Sequence, residues 1–168
     1  MLLKFIGLIL IVLTGASWGN VKSERLKSER NSSRLLVEIV GQISTFIRFK
    51  GLTFYEIARE LQSVQAYSEL GFICNIPQDY DGQHSFSEMW QRAADGDSVI
   101  CEEAKDLLKN FGATVGSSDT DGQLSELELL RTRLETLEKK QSEIYAQKGR
   151  LYRGVGALGG LMLAIVLM

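Results

Sequence analysis

The sequence predicts an all-α protein in which a cytosolic helical bundle lies between an N-terminal and a C-terminal membrane helix. Composition is the first reason, because the 168 residues include one proline and are rich in leucine, glutamate, lysine, arginine, alanine and glutamine, which favour helices. Charge placement is the second, because basic residues border an apolar segment at each end. We therefore predict a membrane helix over 1–19, a bundle over 20–150 and a membrane helix over 151–168.

The N-terminal segment, MLLKFIGLILIVLTGASWG, is apolar from Leu2 to Trp18 apart from Lys4, and as a helix it approaches the hydrocarbon thickness of a bilayer. Basic residues follow it closely, at Lys22, Arg25, Lys27, Arg30 and Arg34. By the positive-inside rule, the middle of the chain stays in the cytosol and the segment remains as an anchor. A cleaved signal peptide is the alternative, since small residues stand at 14–16, and it would make the chain a secreted or surface helical protein.

The C-terminal segment, GVGALGGLMLAIVLM, mirrors this arrangement, because basic residues precede it at Lys139, Lys140, Lys148, Arg150 and Arg153. The stretch 155–168 covers roughly 21 Å as a helix, less than the ~30 Å hydrocarbon core, so we expect Leu151 and Tyr152 to contribute as well. Gly156, Gly159 and Gly160 provide small faces for a second membrane helix, which makes a homo-oligomer one expectation.

The first bundle helix is predicted from Arg34, where apolar residues recur every three or four positions and share one face. These residues are Leu35, Leu36, Ile39, Val40, Ile43, Phe46 and Ile47. A second helix is predicted from Phe54 to about Leu70. Thr53 and Glu56 have the spacing of a capping box at its start, in which each side chain accepts the other residue's backbone N–H.

A second capping box, Ser85 with Glu88, is predicted to start a helix that runs through Trp90. A fourth bundle helix is predicted from near Ser98, with acidic residues in its first turn that favour the helix dipole. The longest helix is predicted from near Asp121 to the C-terminus, so the last bundle helix is continuous with the C-terminal membrane helix. Its heptad-like seam consists of Leu127, Leu130, Leu134, Leu137, Gln141, Ile144, Lys148, Leu151, Val155 and Leu158.

Two stretches, DYDGQHSFSE at 79–88 and DTDGQLSELE at 119–128, resemble EF-hand calcium loops, so a calcium-responsive module is a further alternative. With Ser117 in first place, Asp119, Asp121, Gly122 and Glu128 would take the third, fifth, sixth and twelfth places of such a loop. The first ligand position is weak in both stretches, because it falls on a proline in one and on a serine in the other.

A helix start is the competing interpretation of the second stretch. Gly112 and Gly116 can end the fourth helix, and Ser118 or Asp119 can accept the free N–H groups at the start of the long one. We favour this interpretation over calcium.

Composition argues against catalysis, metal chemistry and nucleic-acid binding. The chain has one histidine and two cysteines, without a CxxC pair, a catalytic-triad pattern or a glycine-rich phosphate loop. We therefore expect no enzyme activity, no cofactor and no metal. Net charge is -2, and the basic runs lack interleaved aromatic residues, so we expect no nucleic-acid partner.

Five stretches carry a resemblance to a known family: RLLVEI at 34–39, GLTFYEIARELQ at 51–62, SFSEMWQRA at 85–93, LLKNFGATVGSSDTDGQL at 107–124 and KGRLYRGVGALGGLMLAIVLM at 148–168. Nearly the whole chain resembles the stage III sporulation protein AB family of endospore-forming bacteria, which is itself similar to the helical F domain of type II secretion inner-membrane platforms. The most specific part is the run Phe111, Gly112, Gly116, Asp119, Gly122 and Gln123. Together with Thr53, Glu56 and Trp90, these are our candidate residues for a structural motif and an interaction surface. One departure is Phe54, where the family often has proline.

The resemblance implies a membrane scaffold in the channel apparatus that joins mother cell and forespore, without catalytic residues. It implies a place in the mother-cell membrane facing the forespore, with most of the chain cytosolic. The expected partners are the membrane and other sporulation channel proteins, including a secretion-type ATPase.

Overall fold

The structure is a computed structural model that describes residues 2–80, 82–116 and 118–166. These residues form six α-helices: α1 Leu2–Thr45, α2 Phe54–Gln62, α3 Gly71–Asn75, α4 Phe86–Gly96, α5 Glu102–Thr114 and α6 Thr120–Val166. A π-helical turn, Phe46–Lys50, follows α1, and a 3-10 turn, Gln65–Tyr67, lies between α2 and α3. The described residues contain no strand, so the predicted all-α class is confirmed.

The chain divides into two compact units. The terminal unit consists of residues 1–30 and 140–168, and it comprises the first part of α1 and the last part of α6. The bundle unit consists of residues 31–139 and contains the remainder of those two helices together with α2 to α5. All the candidate motif residues belong to the bundle unit.

The bundle unit has one apolar core, to which all six helices contribute. The core residues of α1 and α6 recur at steps of three and four, as predicted; they are Leu36, Ile39, Val40 and Ile43 on α1, and Leu127, Leu130, Leu134 and Leu137 on α6. Burying a side chain of this size contributes about 1.5–3 kcal/mol relative to leaving it in water. The core is therefore the main source of stability for the bundle unit.

The prediction of one helix from Phe54 to about Leu70 is wrong beyond α2, which ends at Gln62. The Gln62 side chain bonds across the turn that follows: its Nε2 donates to the carbonyl oxygens of Ile73 at 2.8 Å and Ile76 at 2.7 Å. These carbonyls lie at the end of α3, where the Ile73 carbonyl also accepts the Ile76 N–H at 3.3 Å. A long-range contact therefore stabilises the chain reversal after α2.

Tyr67, in the 3-10 turn after α2, is buried in the core. Its hydroxyl donates to Glu38 Oε1 at 3.1 Å. Burial first, and then the hydrogen bond to the Glu38 carboxylate, raise the pKa of Tyr67 to about 12. The turn thus brings a large aromatic ring into the core and satisfies its polar end on α1.

The fourth bundle helix begins later than predicted, at Glu102 rather than near Ser98. The buried Asp97 carboxylate explains the delay, because its Oδ1 accepts the backbone N–H of Val99 at 2.6 Å and of the following residue at 3.1 Å. Its Oδ2 accepts the N–H of Phe72 at 2.7 Å. A carboxylate that binds its own downstream backbone in this way holds a turn instead of a helix.

The predicted long helix is confirmed as α6, which begins at Thr120 and is described to Val166. Its seam is buried as far as Gln141, which is 9% exposed. Further along, the large apolar side chains that the structure describes as exposed on α6 are Leu151, Val155, Leu158 and Met162.

Among the described residues, no helix combines the length and the apolar character that are needed to cross a bilayer. The membrane helices over 1–19 and 151–168, and the domain boundaries drawn from them, therefore stay predictions. Met1, Leu167 and Met168 lie outside the described residues.

Candidate interaction groove

Three helix starts border one groove of about 570 Å³ in the bundle unit. The starts of α2, α4 and α6 meet there with the turn after α1 and the end of α5. The lining residues are Ile47, Gly51, Leu52, Thr53, Phe54, Tyr55, Ser85, Phe86, Ser87, Val115, Gly116, Thr120 and Gln123. Of the candidate motif residues, the groove therefore brings together Thr53, Gly116 and Gln123.

Capping boxes shape the α2 and α4 sides of the groove, and both were predicted. At α2 the backbone N–H of Thr53 donates to Glu56 Oε2 at 2.8 Å, and the Glu56 N–H donates to the Thr53 hydroxyl at 3.4 Å. The backbone and hydroxyl donors of Thr53 lower the pKa of Glu56. At α4 the Ser85 N–H donates to Glu88 Oε2 at 3.1 Å, and the Glu88 N–H donates to the Ser85 hydroxyl at 3.2 Å. Glu56 and Glu88 thus serve helix starts.

The corner between α5 and α6 forms the third side. Gly116 has φ +77°, which favours glycine, and Asp119 Oδ1 accepts the Gly122 N–H at 3.0 Å. Gln123 Nε2 donates to the Ser118 carbonyl at 3.0 Å. A Cβ on Gly122 would lie 2.9 Å from both Asp119 Oδ1 and Ser118 Cβ, so the capped start requires a glycine there. Of the two residues predicted as alternative caps, Ser118 and Asp119, the structure shows Asp119 in this role.

In both acidic stretches, described carboxylates that would bind calcium have other structural partners. Gly122 lies inside α6, whereas the glycine of an EF-hand loop makes a sharp bend. In the first stretch, Asp79 pairs with Arg59 at 2.9 Å and Glu88 belongs to a capping box. Ser117, the first ligand position of the second stretch, and Asp81 lie outside the described residues. The described residues contain no group of three or more histidine, cysteine or acidic side chains arranged for a metal.

Trp90 lies in the core beside the groove, at the contact between α4 and α5. Its Nε1 donates to the Leu108 carbonyl at 2.8 Å, and its ring meets those of Phe72 at 4.8 Å and Phe111 at 5.5 Å edge to face. A Cβ on Gly112 would lie 2.3 Å from Trp90 Cδ1. Trp90, Phe111 and Gly112 are therefore buried packing residues, and none of the three lines the groove.

Three aromatic side chains, Phe54, Tyr55 and Phe86, line the groove, and none of them was among the predicted site residues. The ring of Phe86 lies 5.3 Å from that of Phe54 and 5.1 Å from that of Tyr55, and 6.0 Å from that of Trp90. Phe54 and Phe86 each follow a capping residue directly, and this shared position is the signal that could have found them. Among the lining residues that the structure describes, none is a carboxylate, an imidazole, a thiol or an amine. Such a surface suits the binding of an apolar side chain better than acid–base chemistry.

Comparison with known proteins agrees with the motifs. The family model described as stage III sporulation protein AB (spore_III_AB) matches residues 4–168. The chain is 26% identical over 174 residues to the stage III sporulation protein AB of Bacillus subtilis (strain 168), and the alignment covers 99% of this chain and 100% of that protein. No solved structure matches the chain. The family resemblance inferred from the sequence is confirmed.

Proposed function

This chain belongs to the stage III sporulation protein AB family and has a role in sporulation, and from that premise we propose that it is a membrane-anchored scaffold of the channel between mother cell and forespore. In this proposal the terminal unit ties the chain to the mother-cell membrane. The bundle unit lies in the cytosol and binds partner proteins, and the protein has no catalytic activity of its own.

The exposed apolar stripe on α6 is the observation that carries the membrane part of the proposal. Leu151, Val155, Leu158 and Met162 are between 58% and 73% exposed, and steps of four, three and four place them on one face of the helix. Contact of such a stripe with water is unfavourable by about 25 cal/mol per Å² of apolar surface, and contact with lipid removes this cost. The stripe therefore supports a bilayer as the surroundings of this part of α6.

Charge supports the cytosolic side for the bundle unit. Basic residues follow the N-terminal apolar segment and precede the C-terminal one, and lysine and arginine accumulate on the cytosolic side of membrane segments. A reporter inserted into the 78–82 loop tests this placement. A cytosol-active reporter should work there and an export-active reporter should not; the reverse result would support the secreted alternative.

The partner that we propose for the groove is the secretion-type ATPase. At protein interfaces, aromatic residues are enriched in the buried centre, where a few residues contribute most of the binding free energy, and polar residues surround them. Phe54, Tyr55 and Phe86 are aromatic lining residues whose rings contact one another, and Thr53, Ser85 and Gln123 are among the polar lining residues.

Copurification of the ATPase with the full-length chain from sporulating cells tests this partner. Thr120→Arg introduces a long charged side chain at an exposed position that lines the groove, and Thr132→Arg introduces the same side chain at an exposed position of α6 outside the lining. We expect Thr120→Arg to remove the ATPase from the purified material and Thr132→Arg to retain it. Equal recovery with both variants would contradict the groove, and no recovery with the native chain would contradict the partner.

A further inference from the structure

Charge is divided unequally between the two units. The terminal unit, residues 1–30 and 140–168, has nine lysine and arginine residues and three aspartate and glutamate residues, a net charge of +6. The bundle unit, residues 31–139, has ten basic and eighteen acidic residues, a net charge of -8. Together these give the net charge of -2 of the whole chain. Positive charge is thus concentrated in the part that we assign to the membrane.

We propose that the basic side chains of the terminal unit bind the phosphate groups of acidic phospholipids at the membrane surface. This inference rests on the proposed membrane anchoring and names the lipid class that the anchor selects. Five exposed side chains carry it: Lys22, Arg25 and Lys27 on α1, and Lys140 and Lys148 on α6. Clusters of four to eight basic residues beside a membrane segment are typical of binding to anionic lipids.

Helix geometry places most of these side chains within reach of the headgroups. Val21 on α1 and Leu151 on α6 are exposed apolar residues that border the basic side chains. At ~1.5 Å per residue, Lys27 lies about 9 Å along α1 from Val21, and Lys148 lies about 4.5 Å along α6 from Leu151. The headgroup region of one leaflet is roughly 5–8 Å thick, and screening acts over a further ~8 Å at physiological salt. Lys140, at about 16 Å from Leu151, lies at the limit of this range.

The ion pairs of Arg25 and Lys27 do not prevent these two side chains from binding a phosphate. Arg25 pairs with Glu29 at 3.0 Å and Lys27 pairs with Glu24 at 3.6 Å, each within about one turn of α1, and both basic side chains are exposed. Exposed pairs of this kind are weak and exchange readily for other partners, including a phosphate. Arg30 is different, because its guanidinium lies 5.2 Å from the centre of the Tyr145 ring and so belongs to the packing of the unit.

Electron spin resonance on the full-length chain in vesicles tests the proposal. Lipids next to a membrane protein move slowly, so the slow fraction of spin-labelled phosphatidylglycerol can be compared with that of spin-labelled phosphatidylcholine. We expect phosphatidylglycerol to be favoured about fivefold, the ratio when each bound lipid contacts one of the five basic side chains, and this preference to fall as salt is raised.

Matched variants separate local charge from total charge. The triple variant Lys22→Gln, Arg25→Gln and Lys27→Gln should lose most of the preference, and the pair Lys140→Gln and Lys148→Gln should reduce it. The control variant removes three exposed or partly exposed charges from the bundle unit: Lys105→Gln, Lys109→Gln and Arg131→Gln. It should leave the preference for phosphatidylglycerol unchanged.

The failures of the two proposals are distinguishable. Equal slow fractions of the two lipids around the native chain would overturn the inference and leave the membrane anchoring in place. The absence of a slow fraction for either lipid would overturn the anchoring itself.

Discussion

At the residue scale, the contact between Gly112 and Trp90 determines how closely α5 approaches α4. A Cβ at position 112 would lie 2.3 Å from Trp90 Cδ1 and 3.1 Å from its Nε1, the atom that donates to the Leu108 carbonyl. No Cβ fits at that distance, so an added methyl group must displace the indole. Gly112 does not have a positive φ, so backbone conformation does not require a glycine there. The close packing against Trp90 does.

Gly112→Ala is expected to destabilise the bundle unit by about 1–3 kcal/mol, the usual effect of overpacking a core. The melting temperature of the full-length chain in mild detergent, followed by circular dichroism, should fall by about 2–4 °C per kcal/mol. Gly41→Ala is the matched control, since a Cβ there meets nothing within 4 Å and helix propensity improves by about 0.5–1 kcal/mol. Equal melting temperatures for the two variants would contradict the contact.

Asp97 is a buried polar residue of the bundle unit, and we expect its replacement to lower the free energy of unfolding strongly. It accepts three backbone N–H groups, and each donor left without a partner in the core costs about 1–3 kcal/mol. Asp97→Ala is therefore expected to lower stability by about 3–5 kcal/mol in the same melting experiment. Asp95→Ala removes only a carboxylate that is 61% exposed and paired with Lys109, so its effect should stay within about 0.5 kcal/mol.

The raised pKa of Tyr67 leads us to expect a loss of stability at alkaline pH. Its folded-state pKa of about 12 lies above the ordinary value of 10.0, so the folded state holds the phenol proton more tightly than the unfolded state does. The contribution is fully present below pH 10 and is lost as the pH rises towards 12. The melting temperature of the native chain should therefore fall more steeply over this interval than that of Tyr67→Phe. Parallel pH profiles would show that the phenol does not titrate differently in the two states.

At the element scale, the starts of helices followed from the sequence more reliably than their ends. Thr53 and Ser85 were predicted as caps, and Asp119 as one of two candidates with Ser118, because a capping side chain binds backbone within three residues of itself. The end of α2 was wrong because it depends on distant partners, and the start of α5 was wrong because Asp97 bonds both to its own downstream backbone and to a distant N–H. Gln62 bonds to carbonyls eleven and fourteen residues away, and Asp97 bonds to an N–H twenty-five residues away.

The seam of α6 gives a prediction for a whole element. Leu134 and Leu137 are 0% and 3% exposed, so replacing both with Asp would bury two charges in the core without partners. We expect Leu134→Asp with Leu137→Asp to abolish the cooperative melting of the bundle unit while the chain still pellets with membranes. Leu129 is 46% exposed on the same helix, and Leu129→Asp should melt like the native chain. A native melting profile for the double variant would mean that this seam faces solvent.

At the scale of the whole molecule, the fold class and the family could be predicted from the sequence, but the groove could not. Thr53, Gly116 and Gln123 are separated by up to seventy residues, and only the packing of α2, α4 and α6 brings them to one surface. Periodicity and capping are local patterns, and neither reports which helix starts meet. The proposed membrane anchoring, by contrast, rests on the order of apolar and basic residues along the chain, together with the exposed stripe on α6.

The central claim is that the terminal unit holds the chain in a membrane with the bundle unit in the cytosol, and Cys74 offers a direct measurement. Its thiol is on an exposed residue of the bundle unit, whereas Cys101 is partly buried. We expect a membrane-impermeant maleimide to leave Cys74 unlabelled in intact protoplasts and to label it after lysis, in protein that stays in the membrane pellet through an alkaline carbonate wash. Labelling of Cys74 in intact protoplasts, or release of the chain by the wash, would contradict the claim.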